Sequence, residues 1–110
     1  MQSEDSYMIT ISSQRYLDDD IIAEKIEMED FGVSVSPVFE HDGMLLRVIM
    51  DGHHSLAAAK QAGVEPEFAE LDVQDSDNIQ LIHDGKIEDF LLATYIDSDY
   101  YDIADGVSIW

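Results

Sequence analysis

Apolar and polar residues alternate in "SYMITISS", residues 6–13, with Tyr7, Ile9 and Ile11 on one side of an extended chain. A period of two predicts an opening strand with one buried face. The pattern changes in "QRYLDDDIIAEKIEMEDFG", residues 14–32, where Ile22 and Ile26 share a helical face. Asp18 reads as the N-cap, and Asp19 and Asp20 stand where the helix dipole favours carboxylates. These signals predict a helix over 19–30 with Gly32 marking its exit. "VSVSPVFE", residues 33–40, returns to alternation, and Pro37 suits an edge strand or a strand end. Asp42-Gly43 is a hairpin turn signal. "MLLRVIM", residues 44–50, is apolar except at Arg47, as expected of a central strand covered on both faces.

The stretch "DGHHSLAAAKQAG", residues 51–63, reads as a tight turn followed by a helix from about His54 to Ala62. Its alanines allow close packing on a sheet, and Gly63 takes the left-handed cap position. "EPEFAELDV", residues 65–73, predicts a further strand, and Lys86–Tyr95 a helix with Ile87, Phe90, Leu91 and Thr94 on one side. No repeat or linker divides the 110 residues, so the expectation is a single domain.

Composition sharpens this picture. A hydrophobic content of 45% supports a folded core rather than a disordered acidic tail. There is no cysteine, which excludes disulfides, thiolate metal sites and thiol nucleophiles. The opening Met1-Gln2-Ser3-Glu4-Asp5 is polar and acidic, unlike a signal peptide, and Met44–Met50 is too short to span a bilayer. A cytoplasmic protein without a membrane partner is therefore expected. The 25 acidic residues against 5 basic ones give a formal charge of −20. So few cations cannot displace counterions from a nucleic-acid backbone, and no direct nucleic-acid binding is expected. The acidity fits either a strongly solvated surface or a face shaped for a basic partner, such as a DNA-binding protein meeting carboxylates in place of phosphates.

Candidate chemistry concentrates at the Asp51–Ser55 turn. Backbone N–H groups at a helix N-terminus are unpaired and favour an anion. Here they belong to His53, His54, Ser55 and Leu56, while Gly52 permits a sharp backbone entry. The competing reading has both histidines capping the helix and bonding to a neighbouring loop. Asp51, His41, His53, His54 and His83 are metal-ligand types, but no H-x-x-x-H or H-E-x-x-H spacing occurs and no metal site is expected. Carboxylates are too abundant for a catalytic pair to be singled out.

"VIMDGHHSLAAAKQAGV" resembles the central motif of the ParB/sulfiredoxin superfamily, in its Asp-Gly-His-His-Arg variant. "SSQRYLDDDIIAEKI" is similar to the ParB-like opening, and "FGVSVSPVFEHDG" to the hairpin that follows it. The resemblance covers residues 7 to about 73, leaving 74–110 as a C-terminal extension. It implies a compact α+β domain, a small mixed sheet packed with short helices, with a helix N-terminus facing a phosphate, Gly52, His53, His54 and Ser55 on the phosphates, Arg15 as an additional contact and Asp51 in support. Family members bind or turn over nucleotides, so the implied ligand is ATP or CTP with magnesium. Two positions depart from the family: Ser55 replaces an arginine, and His53 stands where sulfiredoxin has its cysteine. Two functions follow as expectations. One is a nucleotide-phosphate pocket at 51–55; the other is a non-enzymatic, acidic, DNA-mimic-like protein that binds or inhibits a basic partner.

Overall fold

In the computed structural model, which describes residues 8–109, the chain runs β1 (Met8–Ser12), α1 (Asp19–Met28), β2 (Gly32–Val35), β3 (Phe39–His41), β4 (Met44–Asp51), α2 (His53–Ala62), β5 (Glu67–Glu70), α3 (Ile79–His83), α4 (Ile87–Thr94) and β6 (Tyr101–Asp102). The six strands form one mixed sheet with β4 at its centre. One edge of β4 pairs in parallel with β1, bringing Thr10 opposite Arg47 and Ile11 opposite Val48. Its other edge is shared: β3 covers the first half antiparallel, with Phe39 opposite Leu46, and β2 covers the second half, with Val35 opposite Ile49. β5 extends the sheet parallel to β2, and β6 closes the far side antiparallel to β1.

Alternation along β4 sends its side chains into two clusters. Leu46 and Val48 pack with Ile11, Phe39, Ile79, Phe90 and Tyr100, and Met44 and Met50 border the same cluster. The Phe39 and Phe90 rings meet edge to face at 5.6 Å. Ile49 lies in the second cluster, with Val33, Val35 and Leu56. Thus α3 and α4 cover one face, while α2 covers the other and carries α1 against it. Ala58 and Ala59 are wholly buried, as a small-residue helix face against a sheet requires. The continuous apolar run of β4 reflects this double covering. The fold is a compact α+β arrangement of a mixed six-stranded sheet and four helices among the described residues.

Three details depart from the sequence reading. The first helix ends at Met28, because Glu29 turns left-handed (φ 54°) and the N–H groups of Glu29 and Asp30 bond back to Ile26 and Lys25. Gly32 begins β2 instead of capping α1. The predicted strand 33–40 is two strands, broken at Ser36-Pro37. Proline has no N–H for the ladder, and the Ser36 hydroxyl bridges the gap. It accepts the Val48 N–H at 3.0 Å and donates to the Pro37 carbonyl at 2.9 Å. Residues beyond 73, outside the span of the resemblance, supply Ile79, Phe90 and Tyr100 to the larger core cluster.

Other expectations hold. Asp18 caps α1 by accepting the Asp20 N–H at 2.9 Å. Asp42 (φ 54°) and Gly43 (φ 78°) both take left-handed conformations, the geometry of a two-residue type I′ hairpin turn. Tyr7, expected in the opening strand, lies outside the described residues. No helix among the described residues is long and apolar enough to cross a membrane.

The Ser36 bridge yields a prediction. Ser36→Ala leaves a buried Val48 N–H without its acceptor, and urea unfolding should register a loss of roughly 1–3 kcal/mol. A change within a few tenths of a kcal/mol would show that the bridge contributes nothing.

Candidate functional site

The central strand ends at Asp51, and the chain must turn at once to lay α2 across the sheet. Gly52 makes that turn with φ 94°. A Cβ built there would sit 2.5 Å from the Gly32 carbonyl oxygen and 3.0 Å from Val33 Cα. Only glycine fits, both in conformation and in space. The Gly52 carbonyl accepts the Leu56 N–H at 2.8 Å, so α2 begins at His53, one residue earlier than its sequence suggests. The N–H groups of His53, His54 and Ser55 precede that first intrahelical bond. No side chain caps them, and no acidic residue stands in the first turn of α2. By contrast, α1 places Asp19 and Asp20 in its first turn, and α4 places Glu88 and Asp89 there.

Both histidines reach away from the helix axis to the β1–α1 loop. His53 Nε2 lies 2.7 Å from Ser12 Oγ, which also accepts the Gln14 N–H at 3.0 Å. Ser12 Oγ donates to Nε2 or accepts from it according to the tautomer of His53. Burial favours the neutral imidazole and lowers the His53 pKa from its ordinary value; the nearby Asp51 opposes this shift. His54 Nε2 accepts the Asp18 N–H at 3.1 Å. The rings therefore tie α2 to both ends of the loop. Hydroxyl and imidazole stand at the distance of a nucleophile and its base, but Ser12 is only 1% exposed, which closes the pair to a substrate.

In front of the helix end lies a cavity of about 510 Å³, within the usual range for small-ligand sites. It is lined by Asp51, Gly52, His53, His54 and Ser55 together with Gln14, Ile21, Lys25, Asp30 and Gly32. Because α1 ends early, Asp30 is outside the helix and its carboxylate turns inward. It pairs with Lys25 Nζ at 2.9 Å and accepts from the Gly32 N–H and the Ser55 hydroxyl, each at 3.3 Å. The Lys25 bond is the main cause that lowers the Asp30 pKa and, reciprocally, raises that of Lys25. The lining thus sets two carboxylates against one ammonium, with His53 neutral.

The structure brings Asp51, Gly52, His53, His54 and Ser55 together but holds Arg15 elsewhere. The Arg15 guanidinium donates to the Gly106 carbonyl at 2.8 Å and lies 4.0 Å above the Tyr101 ring, and it does not line the cavity. The cation at the cavity is Lys25, which sequence reasoning passed over, together with Asp30, Gln14 and Ser12. Ser12 and Gln14 precede Arg15 in the same "SSQR" stretch, so the segment was legible although its inward members were not. His41 stands beside Asp42 at 3.8 Å, and His83 is exposed at the end of α3. Among the described residues no three metal-ligating side chains come together.

Two outcomes are expected. Gly52→Ala should destabilise the fold by roughly 2 kcal/mol or more, from strain at positive φ and the clash with Gly32, as read by urea unfolding. Acidification should also weaken the fold through His53. Its folded pKa is depressed, so the unfolded chain binds the extra proton. That contribution is intact above the unfolded value of 6.5 and is lost as pH falls from there through the folded value. His53→Gln should flatten the slope of stability against pH by up to about 1.4 kcal/mol per pH unit in this window. An unchanged slope would mean that His53 is as easily protonated folded as unfolded.

Set against known protein families, curated proteins and solved structures, the chain matches none.

Proposed function

We propose that this protein is a binding module for a magnesium-bound nucleoside triphosphate, built on a ParB/sulfiredoxin-like plan. The observation that carries this reading is the amino end of α2, which opens into the 510 Å³ cavity with neither a side-chain cap nor an acidic residue in its first turn. In a chain with a net charge of −20, a first turn without a carboxylate keeps its N–H groups receptive to an anion. The order of strand, Asp-Gly turn and helix supports the same reading, since the proteins that this stretch resembles hold a phosphate chain on the N–H groups of such a turn.

Magnesium follows from charge. Asp30 and Asp51 would repel a bare triphosphate, whereas a divalent ion is commonly held by one or two carboxylates and the phosphate oxygens together. In this reading Lys25 and the Ser55 hydroxyl supply further contacts to the phosphates, and His53 and His54 act through their backbone N–H groups while their rings hold the loop. ATP and CTP are the first candidates. The proposal is one of binding, because the Ser12–His53 pair is enclosed.

Thermal unfolding with ATP or CTP, with and without magnesium, tests it. A nucleotide at roughly 100 times its Kd adds about 2.7 kcal/mol, a rise in Tm on the order of 10 °C for a domain of this size. The rise should require magnesium and disappear in Ser55→Asp, which places a carboxylate among the N–H groups. It should persist in Arg15→Ala, whose guanidinium serves the C-terminal segment. If no nucleotide raises Tm, the reading is wrong.

A further inference from the structure

The opposite side of the sheet carries an apolar surface that the nucleotide reading does not use. Helix α4 turns Phe90 wholly into the core, yet Leu92 is 77% exposed and Tyr95, just past its end, is 52% exposed. With Leu91 and Tyr100 they line a shallow depression of about 350 Å³, and the remaining residue of its lining is Glu88. The Tyr100 hydroxyl donates to the Leu91 carbonyl at 2.8 Å, which fixes that ring in the wall. Asp89 and Asp99, both exposed, adjoin the lining residues Glu88 and Tyr100 in sequence, and no lysine, arginine or histidine lines the depression. An exposed leucine alone would mean little. An apolar groove with a carboxylate in its lining is the complement of a particular kind of partner.

We propose that the α4 groove docks a lysine- or arginine-rich amphipathic helix of another protein. Leu91, Leu92, Tyr95 and Tyr100 would receive its apolar stripe, and Glu88 with the nearby aspartates would face its cations. Charge decides among occupants. A second copy of this chain would itself carry a net charge of −20. Residues 1–7 of the chain itself contain Glu4 and Asp5 and neither lysine nor arginine. A basic partner alone turns the acidity into attraction, which steers encounter while the apolar stripe supplies residence. The groove lies on the α3/α4 face and the cavity on the α1/α2 face, so the two can be filled independently.

The test uses a fluorescent synthetic helix of leucine and lysine, about four turns long, and a shuffled peptide of the same composition that cannot form an apolar stripe. Fluorescence anisotropy should show saturable binding of the amphipathic peptide, weakened by added salt, and binding of the shuffled peptide roughly tenfold weaker or less. Leu92→Asp should lower affinity roughly tenfold or more with no change in Tm, since the side chain is solvent-facing. Equal binding of both peptides would reduce the effect to diffuse charge attraction and overturn the proposal. So would wild-type affinity in Leu92→Asp, or a self-association seen by sedimentation equilibrium that Leu92→Asp abolishes. None of these readings depends on a nucleotide.

Discussion

The close approach of Gly52 to β2 is the constraint on which the site rests. With no Cβ, the backbone at the end of β4 lies against the Gly32 carbonyl, and α2 starts in the shelter of the neighbouring strand. That position brings the helix end within reach of the β1–α1 loop, so that successive histidines find separate partners in Ser12 and Asp18. A helix set further out would leave both rings in water and its first turn without a wall in front of it.

The loop they hold is gripped from the other side as well. The Asp97 carboxylate accepts the Arg15 N–H at 2.8 Å, the Tyr101 hydroxyl donates to the Gln14 carbonyl at 2.6 Å, and the Ser13 carbonyl accepts N–H groups from Asp97 and Ser98. Residues 12–18 are therefore a strip clamped between α2 and the C-terminal segment. This explains why Arg15 faces away from the cavity: its carbon stem follows a backbone fixed on the C-terminal side, and the Tyr101 ring and Gly106 carbonyl receive its guanidinium there. It also makes the last third of the chain a structural partner of the site.

Charge is distributed unevenly in function although it is abundant everywhere. Carboxylates reinforce the first turns of α1 and α4, where the helix dipole welcomes them, and are missing from that of α2. At the cavity the two that remain, Asp30 and Asp51, oppose a single lysine. The acidity is thus compatible with an anion site if a cation accompanies the anion, and it suits a basic partner on the far face without such help.

By itself the sequence determined the elements whose signals are local. The type I′ turn at Asp42-Gly43, the Asp18 cap, the Gly63 cap and the doubly covered β4 follow from residue conformation and periodicity over a few positions. The Asp51–Ser55 turn was legible for the same reason. The tertiary structure decided everything that depends on separation in the chain. Which ring meets which loop atom, that Asp30 turns inward to Ser55, that Arg15 serves the C-terminal segment, and that residues 79–100 complete the core all join positions far apart in sequence. No local pattern encodes such pairings, because each is set by where the sheet register and helix packing bring the backbone. The Ser36-Pro37 break lies between these cases. Proline announced an interruption, but only the Val48 N–H across the sheet made the serine hydroxyl its remedy.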